Sequence, residues 1–206
     1  MNEDIHLFDD ILPIDKHQAV HDHIIKLPMK WGWKSSTLSP EYRHWNYTFH
    51  ESRQYMPAMD DNQYQELAKN HLPIAELWDE IKIRAKQSIG ALESLRIYMN
   101  ANPYGTNGYI HTDDGDYTAI YYPYVEWDAQ WEGGTCFYEK LPNGKYDAMK
   151  YVSYVPNRLV IFPAKTFHRA MPVDRSMIGM RQIIAFKLQF DVNDVNYAKE
   201  FYNDKV

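Results

Sequence analysis

Leu92-Glu93-Ser94-Leu95-Arg96-Ile97-Tyr98-Met99-Asn100 is where the chain changes character. Before it, apolar residues recur at helical spacing. From it onward they come in short runs of β-branched and aromatic residues bounded by Gly, Pro and Asn, the pattern of strands. The runs span 92–100, 108–111, 117–122, 135–138, 146–152, 159–162 and 181–190. Asn143-Gly144, between two of them, predicts a type I′ hairpin. Seven or eight short strands after a helical preface predict a mainly β fold, a two-sheet jelly roll (double-stranded β-helix) with helices packed on one outer face.

Toward the N-terminus, Ile14, Val20, Ile24 and Leu27 follow Pro13 at helical spacing, and Ile74, Leu77, Trp78, Ile81 and Ile89 do so after Pro73. A shorter helix is expected near 63–70. Residues 30–61 carry Trp31, Trp33, Trp45, Tyr47, Tyr55 and Met56 without a clean period, which predicts irregular structure with short strands. Beyond the last strand, 192–202 reads as a closing helix. The expectation is one domain over 1–206, with a helical and irregular region over 1–91, a jelly-roll core over 92–190 and a C-terminal helix over 191–206.

Bulk properties narrow the function. The 206 residues, 45% apolar and 15% aromatic, suffice for one well-buried core. A net charge of -6 argues against a nucleic-acid partner, whose phosphates call for a basic face. The acidic start Met1-Asn2-Glu3-Asp4 leads into no apolar stretch, and no run of roughly 18 apolar residues exists, so neither a signal peptide nor a membrane span is expected. A soluble, cytoplasmic protein is the expectation. With Cys136 as the single cysteine, an intrachain disulfide and a thiolate metal cluster are excluded. Any metal must be held by His, Asp or Glu.

Three elements carry chemistry. In Tyr109-Ile110-His111-Thr112-Asp113, a strand's period of two places His111 and Asp113 on one face, within reach of one point. Alone, so short a motif is weak. The second element is His168, just beyond the apolar run Leu159-Val160-Ile161-Phe162. Read alone it is a hydrogen-bonded loop histidine. Together, two imidazoles and one carboxylate occupy one face of an octahedral iron(II) and leave three positions open, enough for a bidentate 2-oxo acid and dioxygen. The third element is Arg181, which on the run 181–190 shares a face with Ile183 and Ala185. A guanidinium aimed into apolar surroundings needs an anion. That anion is either a protein carboxylate or the distal end of 2-oxoglutarate, which a planar fork grips well.

The ordered set resembles the 2-oxoglutarate-dependent oxygenases, in particular their prolyl 4-hydroxylase-like branch. The resemblance covers roughly 92–190. It runs from Tyr98 through Tyr104-Gly105-Thr106-Asn107-Gly108 to His111-Thr112-Asp113, then Thr118-Ala119-Ile120-Tyr121-Tyr122, Trp127-Asp128, Gly133-Gly134-Thr135, Asn157 to Phe162, His168 and Arg181. It implies His111, Asp113 and His168 as iron ligands and Arg181, Tyr122 and Tyr98 as residues for 2-oxoglutarate. One departure is the gap of 13 residues from His168 to Arg181, which predicts an extended turn over 171–180. Arg175 in that turn is a rival anchor, less favoured because it lies off the strand.

The resemblance further implies iron(II), 2-oxoglutarate as cosubstrate, dioxygen as oxidant and ascorbate as an optional aid to activity, with hydroxylation of an unactivated C–H bond as the outcome. Because Asp113 stands where halogenating relatives have a small residue, no position is vacated for chloride. The substrate expected first is a prolyl or other peptidyl residue; a free amino acid or small metabolite comes second, and a non-catalytic metal-binding jelly roll third. Several other residues receive blander readings. His17 and His21, four apart on the first helix, are assigned to a solvated face, Tyr121 to packing, and Gly133-Gly134 to a tight turn. Trp31, Trp33, Trp45 and Tyr55 stand equally as core aromatics or as the wall of a substrate channel.

Overall fold

The computed structural model describes residues 4–34, 41–51 and 58–191. Its elements in chain order are β1 (His6–Phe8), α1 (Ile14–Ile24), β2 (Lys30–Lys34), β3 (Arg43–Glu51), α2 (Asp61–Asn70), α3 (Leu72–Ser88), β4 (Leu92–Pro103), β5 (Tyr117–Tyr121), β6 (Thr135–Lys140), β7 (Tyr146–Val152), β8 (Leu159–Pro163), β9 (Phe167–Ala170) and β10 (Met180–Phe190). One 3₁₀ turn, Ala129–Trp131, precedes β6. The strands form a seven-stranded sheet in the order β1-β8-β5-β10-β4-β3-β2 and a three-stranded sheet in the order β7-β6-β9, with every pairing antiparallel. This is the expected jelly roll.

The central strands of the large sheet, β4, β5, β8 and β10, are buried on both faces, which explains their near-continuous apolar runs. Odd residues of β4 and even residues of β10 face the helices: Ile97, Met99, Ile184, Phe186 and Leu188 pack with Ala119, Tyr121, Leu159 and Ile161 against Ile74, Leu77, Trp78 and Ile81 of α3 and Val20 and Ile24 of α1. The alternate residues, Tyr98, Ile120, Val160, Phe162, Ile183 and Ala185, turn inward and meet Phe137 and Val152 of the small sheet. The period of two thus sorts two separate cores. Local chemistry sets the helix starts. Asp60 and Gln63 form a reciprocal capping box before α2, and Pro73 occupies the first turn of α3, where its missing N–H costs nothing.

Several details differ from the sequence reading. Residues 108–111 form no regular strand, but Gly108 N donates to Ala170 O at 3.0 Å and His111 bridges His168, so this segment is a vestigial fourth strand of the small sheet. His168 is not a loop residue; it lies on β9, opposite Phe137 of β6. The region before residue 92 contains three strands, including the nine-residue β3, whose alternating pattern is interrupted by a bulge between Thr48 and His50. β1 was not anticipated, being only three residues long. At the hairpin, Gly144 alone has positive φ (+80°), and Lys145 N donates to Asn143 Oδ1. A type I′ turn needs two such residues; Pro142 at the second turn position favours a type I turn closed by Gly144 instead. The expected C-terminal helix, Tyr55 and Met56 lie outside the described residues.

The chain's first residues are clipped to the base of β8. Asn157, at φ +59°, accepts from Leu12 N at 3.1 Å and from the Tyr121 hydroxyl at 3.0 Å, and donates to Leu12 O at 2.8 Å. His17 meets the same Tyr121 hydroxyl at 2.6 Å. His17 is therefore buried, contrary to the solvated face expected for it, while Tyr121 packs as expected.

Candidate active site

The bridge between the vestigial strand and β9 brings His111 and His168 together, and Asp113 lies two residues farther along. Their ligand atoms fall within 4.8 Å of one another, and among the described residues no other group of three or more His, Cys, Asp or Glu side chains has this property. Asp113 Oδ1 lies 3.4 Å from His111 Nε2, and Oδ2 lies 3.4 Å from His168 Nε2. Each imidazole is oriented in the same way: Nδ1 donates to the carbonyl two residues earlier, Tyr109 O at 2.7 Å for His111 and Thr166 O at 2.9 Å for His168. That bond fixes the tautomer and leaves Nε2 lone pairs facing Asp113.

Burial pushes the His168 imidazole down to about 4, so it is neutral. Burial acts against an ionised Asp113, but Lys187 and the two imidazoles outweigh it and hold the carboxyl well below the usual range. The donor set, two imidazoles and one carboxylate without thiolates, fits a first-row divalent metal.

The triad stands at one side of an open cavity whose floor is the inner face of the large sheet. Arg181 lines that cavity and is 1% exposed. Its Nε contacts Gly133 O, and Nη2 reaches Gly134 O at 3.3 Å and Thr135 Oγ1 at 3.4 Å. The Tyr122 hydroxyl meets the same Thr135 Oγ1 at 2.9 Å. No carboxylate pairs with Arg181 among the described residues. Burial lowers its basicity and the surrounding Tyr122, Tyr154 and Tyr151 act the other way; a guanidinium stays charged regardless. Gly133 serves close approach as well as turning: at φ +70°, a Cβ there would come within 2.8 Å of Val173 and 3.3 Å of the Arg181 side chain.

The three residues assigned to 2-oxoglutarate do not form one cluster. Arg181 and Tyr122 converge on Thr135, whereas Tyr98, opposite Ala185 in the ladder, stands near the triad beneath Lys187, whose Nζ is 5.7 Å from the ring centroid. Arg175 is exposed in the turn before β10. His21 packs against Tyr124, with ring centroids 5.3 Å apart.

Lys187 was missed by sequence reasoning, although the parity that grouped Arg181 with Ile183 and Ala185 extends to it. It is fully buried and in contact with Asp113 Oδ2. Thr118, opposite it on β5, donates to the same oxygen at 2.6 Å. His44, Asn100 and Asn102 also line the cavity, and the buried His44 Nε2 has no hydrogen-bond partner. Burial pushes the His44 imidazole down to about 4. Asn100 and Asn102 share the parity of Tyr98; His44 had no usable signal, because the bulges in β2 and β3 break the period.

No protein-family model matches the chain, and no curated protein matches it in sequence. Solved structures do match. An oxidoreductase of the 2OG-Fe(II) oxygenase family from Burkholderia pseudomallei is similar with a TM-score of 0.64 at 10% identity, over 91% of this chain and 86% of that one. HygX from Streptomyces hygroscopicus, with nickel and 2-oxoglutarate bound, gives 0.61 at 10% identity, over 91% and 83%. A prolyl hydroxylase from Trichoplax adhaerens, in complex with a hypoxia inducible factor oxygen degradation domain peptide, gives 0.57 at 16% identity, over 91% and 84%. The chain therefore has the fold of the 2-oxoglutarate, iron(II) oxygenases. Among the described residues no helix is long and apolar enough to cross a membrane.

Proposed function

We propose that this protein is an iron(II)- and 2-oxoglutarate-dependent dioxygenase that hydroxylates an unactivated C–H bond. The observation that carries the reading is Arg181: a buried guanidinium without a carboxylate partner among the described residues, lining the cavity that holds the His111, Asp113, His168 cluster. An unpaired buried cation is costly, so the site calls for an anion that the described residues do not supply. A dicarboxylate with a chelating 2-oxo end satisfies both halves of the cavity at once.

In this reading His111, Asp113 and His168 hold the metal. Iron(II) bound there would activate dioxygen, one oxygen atom going to the hydroxylated C–H bond and the other to the 2-oxo acid as it loses carbon dioxide to give succinate. The chain's own residues orient and shield. Arg181 grips the distal carboxylate and Tyr122 adds a hydroxyl, both through the space next to Thr135. Tyr98 guards the metal end. The Nδ1 bonds of His111 and His168 to backbone carbonyls keep the Nε2 atoms aimed without rotation. Ile120, Ile183 and Ala185 exclude water from the floor.

The substrate proposed first is a prolyl or other peptidyl residue. A second depression beside the triad, lined by Trp33, Lys34, Arg96, Thr112 and Asp114, opens outward, and Trp33 also lines a groove with Trp31 and Pro28. Trp31 and Trp33 are 50% and 37% exposed, a surface suited to an extended chain. A free amino acid or small metabolite is the second reading, favoured by the hydrogen-bonding lining of His44, Asn100 and Asn102. The test is succinate release from 2-oxoglutarate with iron(II) across a panel of peptides and free amino acids. Release stimulated by peptides alone supports the first substrate; release by free amino acids supports the second. Absence of 2-oxoglutarate binding to the metal-loaded protein rejects the enzyme class.

A further inference from the structure

Lys187 has no evident reason to be where it is. A lysine ammonium is strongly hydrated and is rarely fully buried, yet this one sits on the inner face of β10 against a metal-binding carboxylate. Its neighbour across the ladder, Arg96, does not compete for the same anion: Arg96 faces Asp114 at 3.2 Å and Glu51 at 3.7 Å. The two cations are sorted, Arg96 to the rim carboxylates and Lys187 to Asp113.

The hydrogen bonds at Asp113 are divided unequally between its two oxygens. Oδ2 accepts from the Thr118 hydroxyl and contacts the Lys187 ammonium, and Lys187 Nζ also reaches Thr118 Oγ1 at 3.4 Å. A carboxylate oxygen offers about two lone-pair sites, so Oδ2 is saturated. Each oxygen also faces one ligand imidazole at 3.4 Å, Oδ1 that of His111 and Oδ2 that of His168, but among the described residues Oδ1 has no other partner. A carboxylate can bind a metal through one oxygen or through both, and the second mode would consume a position that the reaction needs.

We propose that Lys187, with Thr118, is a positioning residue of the metal centre: together they occupy Asp113 Oδ2, so that Asp113 gives the metal Oδ1 alone and three positions stay open. This rests on the reading of His111, Asp113 and His168 as a metal site. The role differs from that of Arg181, which waits for an anion from outside; Lys187 already has its anion and disciplines it.

The experiment counts exchangeable waters on manganese(II) bound to the whole chain, by water-proton relaxation, and measures manganese affinity by the free-ion spin-resonance signal. Wild type should show about three waters. Lys187→Met and Thr118→Val free Oδ2 to chelate, so about two waters are expected, with affinity raised roughly tenfold in Lys187→Met, where a cation beside the metal is also lost. Lys187→Arg, which can still donate to Oδ2, should keep about three. About three waters and unchanged affinity in both Lys187→Met and Thr118→Val overturn the proposal, since a merely structural ion pair would change stability alone. If Lys187→Met does not fold, Thr118→Val decides by its water count. Failure of the metal-site reading is distinct: wild type would then not bind manganese, or His111→Ala would bind it equally well.

Discussion

Arg181 and Lys187 project from the same face of β10, six residues apart, and line one cavity, yet only Lys187 has a carboxylate partner among the described residues. Arg181 has carbonyls and a hydroxyl. One cation is complete before any ligand arrives and the other is not. Mutations at the two positions should therefore differ in kind, one affecting the protein without ligand and the other affecting ligand binding.

At Arg181, removal costs a charge-assisted bidentate contact and strands the ligand's carboxylate, on the order of 2 to 5 kcal/mol. Arg181→Ala should weaken 2-oxoglutarate binding by roughly thirtyfold or more. Tyr122→Phe removes one hydrogen bond to a charged group, about 1.5 to 3 kcal/mol, or about tenfold to a hundredfold. Arg175→Ala should change nothing. Titration calorimetry of the metal-loaded protein checks all three, and an effect of Arg175→Ala with none of Arg181→Ala would move the anchor to the turn.

His111→Ala and His168→Ala each leave two protein ligands, and most of the metal affinity should disappear in both. Metal content after dialysis against a weak chelator measures it. Full stoichiometry in both variants would show that the metal is held elsewhere.

Lys187→Met in the metal-free protein leaves Asp113 buried without its main counter-charge, a loss of about 3 to 5 kcal/mol. Adding Asp113→Asn should restore part of it, with a coupling energy of more than about 1 kcal/mol in a double-mutant cycle. Urea unfolding supplies the four stabilities. Additivity within about 0.5 kcal/mol would mean that the two groups do not depend on each other.

His44 predicts a pH dependence. Its folded-state value, about 4, lies below the ordinary 6.5, so the unfolded chain binds the proton first as pH falls. Its contribution to stability is full above about 6.5, declines between 6.5 and 4, and is gone below; the span corresponds to about 3 kcal/mol. Comparing wild type with His44→Gln in metal-free urea melts from pH 7 to pH 4 isolates it. The difference between the two should shrink toward acid. A difference that stays constant with pH means that burial does not shift the titration of His44.

How far the sequence could be read depends on where the strand period survives. In β4, β5, β8 and β10 two packed faces leave the alternation regular, and the jelly roll could be read from those runs. The same parity grouped His111 with Asp113 and aimed Arg181 inward. It failed at β2 and β3, where bulges shift the register between Trp31 and Trp33 of β2 and between Thr48 and His50 of β3, so His44 could not be placed. Lys187 was legible by parity but masked by expectation, since a lysine near a strand end normally marks solvent. Its burial depends on Asp113, 74 residues earlier, and a partner so far away along the chain leaves no local trace. The Nδ1 bonds of the two histidines were also invisible, because they depend on backbone direction rather than on residue type.

The Asn157 clip and the edge position of β1 bear on how the chain is made. β1 (His6–Phe8) has only β8 (Leu159–Pro163) as a ladder partner, and Leu12 is tied to Asn157, 145 residues away. At a synthesis rate of about 5 to 20 residues per second, the first segment would emerge roughly 7 to 30 seconds before its partner exists. During that interval Phe8, Ile11 and Leu12, which pack into or against the helix-side core in the finished protein, have nowhere to go. The edge of the large sheet is completed by an earlier-made segment meeting a later-made one, and a ribosome-bound intermediate should keep residues 6–12 open to proteolysis until β8 has cleared the exit tunnel.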